Sequence, residues 1–111
     1  MKDVLIKALE LIQDQDHWTQ YAFARDRQGR MISPQSPDAV KFCAFGAIEC
    51  ASGIKPLSPG WNEYTSYLNA VAANLFNESM VMVNDDNGNT AEVHNRVIQI
   101  YEEAIRNATD S

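Results

Sequence analysis

Long apolar runs are missing from this chain of 111 residues. The densest, residues 42–48, is seven long with Gly46 inside it, against the roughly 20 apolar residues that a membrane-crossing helix requires. No membrane association is expected. Cysteine is scarce, with only Cys43 and Cys50. If both lie on one helix, seven residues at about 1.5 Å rise hold them about 10.5 Å apart, beyond the ~7 Å Cα limit of a disulfide. Two reduced thiols follow, and with an N-terminus that lacks a secretory apolar segment they point to a cytoplasmic location. Basic residues are outnumbered, nine Lys plus Arg against fifteen Asp plus Glu, for a net charge of −6. Sequence-independent binding to nucleic acid, which relies on clustered cations neutralising phosphates, is disfavoured. Glycine and proline are few, five and four, which disfavours a disordered chain. No phosphate-binding glycine loop, serine nucleophile elbow or paired metal-ligand motif occurs, so no cofactor is implied.

What is present reads as one domain over 1–111, mostly α: about four helices around a central buried helix, with a small β-hairpin. Residues 3–14 repeat Val4, Leu5, Ala8, Leu9, Leu11 and Ile12 at helical spacing, with Asp3 as N-cap. The aromatic and Thr-rich stretch 18–25, the turn 26–29 and Arg30-Met31-Ile32 suggest a β-hairpin over about 20–32. Ser36 and Pro37 open the next helix as N-cap and first helical residue. That helix, 38–52, carries only Lys41 and Glu49 as charges beyond its first turn, and a helix apolar nearly all round is buried nearly all round. Gly46 within it lets another backbone approach closely, and Gly53 ends it. A third helix spans about 61–76, with Trp61 at its start either anchored in the core or exposed as a contact. Residues 80–83 form a strand or a core-filling segment, a strand making the fold α+β. The turn cluster 84–89 precedes a last helix over about 90–108, with Asn89 and Glu92 spaced as a capping pair.

Three segments carry a resemblance: Ala24-Arg25-Asp26 with Gly29; Asp38-Ala39 leading to Cys43-Ala44-Phe45-Gly46-Ala47-Ile48; and Val83-Asn84-Asp85-Asp86 ahead of a helix containing Val93. In these the chain resembles an uncharacterised family of small bacterial and phage proteins, a domain of unknown function. The resemblance implies a small, mostly helical domain from a prokaryote or phage. It assigns no catalytic role to any residue.

Several residues could carry chemistry. Cys43, His94 and Asp85 supply the residue types of a thiol hydrolase or transferase, in which a histidine deprotonates the cysteine and a third group orients the ring. Cys43, however, falls about two turns into the predicted core helix, where a free cysteine behaves as a small hydrophobe. His94 starts an apolar stripe and reads as a core-edge histidine bonded to a carboxylate or carbonyl. His17, Cys43, Cys50 and His94 lack the close ligand pairs of zinc sites. A calcium loop starting at Asp85 needs Gly where Thr90 stands. Asn84 and Asp85 therefore cap a turn, or point inward and hold another element or a ligand. Arg25, Asp26, Arg27 and Arg30 form the only basic concentration: a solvated tip, or a site for a carboxylate or phosphate with Trp18, Tyr21 and Phe23 as a stacking wall. The leading expectation is a non-catalytic binding or interaction domain using Trp18, Arg25, Asp26, Arg27, Asn84 and Asp85. Its partner is an unknown protein, a small anionic ligand such as a nucleotide, or a second copy of the chain. A phage or mobile-element accessory role is compatible with this.

Overall fold

Apolar spacing and capping chemistry explain most of the helices. The computed structural model describes residues 1–108. Helix α1 (Lys2–Ile12) buries Leu5, Ala8 and Ile12 on one face; its N-cap is Met1 rather than Asp3. A single 3-10 turn follows at Gln15–His17, capped by the Asp14 carboxylate. Strand β1 (Ala24–Arg25) pairs antiparallel with β2 (Lys41–Phe42), placing Ala24 opposite Phe42 and Arg25 opposite Lys41. Helices α2 (Ala44–Ser52), α3 (Pro59–Phe76), α4 (Met80–Asn84) and α5 (Thr90–Asn107) complete the chain. The fold of the described residues is thus mostly helical, with five helices and a two-stranded antiparallel sheet.

The central helix is shorter than expected. It starts at Ala44, not at residue 38, because residues 40–43 bond to another segment: Val40 N–H donates to Arg25 O at 2.9 Å and Cys43 N–H to Phe23 O at 3.1 Å. Lys41 therefore lies in β2, and Ser36 and Pro37 sit in an isolated turn, closed by Ala39 N–H on Ser36 O, rather than at a helix start. Cys43 becomes the N-cap, its Sγ accepting from Gly46 N–H at 3.3 Å, and is not two turns inside. From Ala44 to Glu49 every residue is buried, as expected for a core helix. The carboxylate of Glu49 accepts from Gln35 Nε2 at 2.9 Å. Gly53, at φ 70°, ends the helix with its N–H on Glu49 O.

The hairpin is also rearranged. Asp26 organises the turn by accepting from Gln28 N–H, Arg30 N–H and Arg30 Nε, and Gly29 provides the positive φ of 82°. The return at 30–32 makes one bridge, Arg25 with Met31, plus Ile32 N–H to Ala24 O at 3.1 Å. The ladder partner of β1 is instead the more distant Lys41–Phe42. Residues 80–83 lie in α4 rather than in a strand; the Ser79 hydroxyl caps it by accepting from Met82 N–H.

Helix α5 follows its expected cap, Asn89 Oδ1 accepting from Glu92 N–H at 3.1 Å, and buries Val93, His94, Val97, Ile100, Tyr101 and Ala104. Polar atoms on this face tie it to the core: Tyr101 O–H donates to Ala44 O at 2.5 Å, His94 Nε2 bonds Ile12 O at 2.7 Å, and Ala104 O accepts from Tyr67 O–H at 2.7 Å. Trp61 is a core residue, packed edge-on against Phe45 with ring centroids 5.6 Å apart.

The close approach expected at Gly46 is real. A Cβ there would stand 1.8 Å from Phe23 O and 2.7 Å from its carbonyl carbon, distances that no side-chain rotation relieves because the obstacle is backbone. Gly46→Ala should therefore cost about 2–4 kcal/mol, the upper range of overpacking, since the 23–25 segment must lift from α2. Urea denaturation measures it; a loss below 1 kcal/mol would mean that the segment yields easily.

Candidate functional site

Asn84, at the end of α4, is 2% exposed and every hydrogen-bonding position of its amide is used. Oδ1 accepts from Trp18 Nε1 at 2.8 Å and from Ala44 N–H at 3.0 Å. Nδ2 donates to Thr19 O at 3.2 Å and to Asp85 Oδ1 at 2.9 Å. The side chain thus joins the 18–19 segment, the first turn of α2 and its own loop. Gln20 reinforces the junction, its Nε2 donating to Asn84 O at 2.9 Å and Asp86 O at 2.7 Å. Asn84 points inward, one of the two roles expected for it.

Asp85 carries the junction outward. Its Oδ1 accepts from Tyr21 N–H at 3.0 Å, and Tyr21 has φ 64°, a left-handed backbone costly for a residue with a side chain. The ring of Tyr21 is 58% exposed, so its own packing gives little in return. Such strain held in place by its neighbours tends to occur at functional positions.

Beside Tyr21 lies an apolar groove of about 600 Å³, walled by residues 21–24, 31–34, 43–45, 80–81 and 84–85. Its rim exposes large apolar side chains: Phe23 at 46%, Met31 at 73% and Val81 at 49%. Each of the three segments that carried the resemblance contributes to its walls: Ala24 from the first, Cys43, Ala44 and Phe45 from the second, Asn84 and Asp85 from the third. The protein matches the model of a family of unknown function, DUF6197, over residues 1–107. It belongs to that family. No curated protein and no solved structure matches it. Membership of DUF6197 assigns no activity, so the chemistry rests on the groove itself.

Cys43 and Asp85 both line the groove, but His94 does not. His94 lies against Trp18, ring centroids 5.3 Å apart, with Nε2 engaged by Ile12 O, matching the core-edge reading with a carbonyl partner. Burial pushes the Cys43 thiol up to about 11; bonds from the Gly46 and Phe45 N–H groups work against this, and the Asp85 charge adds to it. At neutral pH the group is a thiol, not a thiolate nucleophile. Burial likewise raises Cys50, and both cysteines are free.

The basic cluster is arranged differently from an anion site. Arg25 directs its guanidinium to Thr19 Oγ1 at 2.9 Å, Gly29 O at 2.9 Å and Gln20 O at 3.1 Å. Arg30 pairs with Asp26 at 2.9 Å, whose carboxyl is opposed by desolvation yet held below its usual range by the Arg30 and Gln28 bonds. Arg27 stands exposed at the tip. Trp18 is buried on Asn84 and lines a second, more polar hollow of about 290 Å³ with Lys41 and Asp16. Among the described residues no group of three His, Cys, Asp or Glu side chains is placed to hold a metal ion, and no helix is long and apolar enough to cross a membrane. Of the groove residues, sequence reasoning finds Tyr21 and Phe23 only as a stacking wall beside Arg25, and it misses Met31 and Val81. The signal available was that 21–34 keeps large apolar residues without any helical or strand period to bury them.

Two outcomes follow. Asn84→Ala strands Trp18 Nε1, Ala44 N–H and Thr19 O in the interior, at about 1–3 kcal/mol for each group left unpaired; a total of about 3 kcal/mol or more is expected in denaturant melts, whereas exposed Asn87→Ala should stay within about 0.5 kcal/mol. For Cys43, the folded value near 11 lies above the ordinary 9.0, so below pH 9 both states hold the proton. As pH rises from 9 towards 11 only the unfolded chain ionises, and stability falls. The parallel loss should be smaller in Cys43→Ser, and native iodoacetamide labelling of Cys43 should be slow at neutral pH and accelerate across the same window.

Proposed function

We propose that this protein is a non-catalytic binding domain that receives an apolar group of its partner in the groove beside Tyr21. The supporting observation is that groove: large apolar side chains stand exposed around it on a segment fixed by Asn84, Asp85 and Arg25. Leaving such residues in water is unfavourable unless a partner covers them, and exposed apolar concavities are where ligands and partners bind. A rigid scaffold suits the role, because groups fixed before binding lose little entropy on association.

A thiol hydrolase or transferase draws less support. Its nucleophile and carboxylate, Cys43 and Asp85, share the groove, but its base, His94, lies behind Trp18. An anionic or nucleotide ligand also draws less, because Arg25 is engaged by three protein acceptors. A cytoplasmic location, a prokaryotic or phage source, an accessory role in a mobile element and self-association all fit this proposal.

Nile red, a neutral apolar fluorophore, tests it. Saturable fluorescence enhancement by the wild type is expected, lost in Met31→Asp, whose melting temperature should be nearly unchanged because residue 31 is exposed. The same enhancement in Met31→Asp, or hydrolysis of a chromogenic ester abolished by Cys43→Ser, would overturn the reading.

A further inference from the structure

Among the described residues, Asp85 is the only charged side chain on the groove walls. Its Oδ1 is engaged by Tyr21 N–H and Asn84 Nδ2, and neither bond uses Oδ2. Among the described residues no cation forms an ion pair with it: Arg30 pairs with Asp26, and Arg25 faces Thr19, Gln20 and Gly29. A carboxylate is therefore present in an apolar concavity with acceptor capacity left over.

The walls also include the first turn of α2, whose positive end would ordinarily favour an anion. Most of its donors are already taken. Ala44 N–H goes to Asn84 Oδ1, Gly46 N–H to Cys43 Sγ and Ala47 N–H to Cys43 O. The groove offers a negative acceptor, and the donors of that turn are largely engaged within the protein. Tyr21 and Phe23 add aromatic rings, whose faces attract cations.

The geometry points to a small organic cation as the ligand, with an apolar body of one ring or a short alkyl chain in the groove and its ammonium group on Asp85. This rests on the groove being the binding site, as proposed above. A volume of about 600 Å³ lies within the range of small-molecule sites.

Three probes of one shape separate the two claims: phenethylammonium, phenethyl alcohol and hydrocinnamate, which are cationic, neutral and anionic. In backbone-amide NMR titrations of the full chain, the amine should move the Ala22, Ala24 and Ala44 signals. It should bind about fivefold to tenfold tighter than the alcohol, with hydrocinnamate weakest, as a partly desolvated charge contact would give. Asp85→Asn keeps an oxygen for Tyr21 N–H and Asn84 Nδ2, and should bring amine and alcohol within about twofold. Should that variant not fold, the wild-type preference for the amine must shrink between about 50 mM and about 500 mM salt as screening increases. Equal binding of amine and alcohol by the wild type, a preference that survives Asp85→Asn, or a salt-independent preference overturns the cation inference while leaving the groove reading intact. If none of the three probes moves those amides, the groove reading itself falls. A peptide arm, acetyl-Leu-Lys-Phe-amide, completes the design: affinity more than about tenfold above that of the amine would make the occupant a protein segment and overturn the small ligand.

Discussion

The buried amide of Asn84 is the constraint on which the other elements of the site depend. A primary amide offers two donor hydrogens and a carbonyl oxygen with two lone pairs, and here all four positions are matched: an indole N–H, a helix-start N–H, a backbone carbonyl and a carboxylate. Because a buried polar group costs little only when fully satisfied, the arrangement is close to all-or-none. Residues 18–21 follow the path they do because Trp18 and Thr19 must meet Asn84 while Tyr21 meets Asp85. That path, carried on by Arg25, places Phe23 O over Gly46 and leaves the groove between the 21–34 segment and α4.

Charge is distributed to the same effect. Arg27 stands exposed at the tip, but the other two cations of the arm formed by residues 18–30 are committed within it, Arg25 to Thr19, Gln20 and Gly29, and Arg30 to Asp26. They give the arm stiffness rather than an electropositive face. Asp85 keeps its charge on the groove side, where it also discourages ionisation of Cys43. A neutral thiol in such a wall behaves as a small apolar surface, consistent with a concavity suited to binding more than to nucleophilic attack.

Much of this was legible in the sequence wherever local chemistry decides structure. The stripes of α1 and α5, the Asn89 cap and the stop at Gly53 depend on neighbours within a few positions, and a glycine inside a buried apolar run marks the close approach at Gly46 although the backbone it meets, Phe23, is distant in sequence. The start of α2 was not legible, because Val40 and Phe42 fit a strand as readily as a buried helix, and their bonding partners, Arg25 for Val40 and Thr19 for Phe42, are far away in sequence. Cys43 as an N-cap was equally obscure, since Ser, Thr, Asp and Asn usually fill that position. α4 is too short for its periodicity to show. Within the site, Asn84 and Asp85 stood out as inward-pointing candidates. Tyr21 and Phe23 stood out only as a stacking wall for an anion, and Met31 and Val81 not at all, since exposed apolar residues on irregular backbone carry no period.

The reach of the Asn84 bonds along the chain has a bearing on how the molecule forms. They connect positions 66, 65 and 40 residues apart, whereas α1, α3 and α5 depend on contacts a turn away. Closing such long loops costs entropy before any bond repays it, and non-local contacts slow folding. On a ribosome, where the N-terminal part emerges first, the arm at 18–25 must wait for most of the protein to be synthesised before its indole and carbonyl find their partner. The groove thus takes shape late, and a chain truncated before residue 84 retains helix-forming segments without the surface that they support.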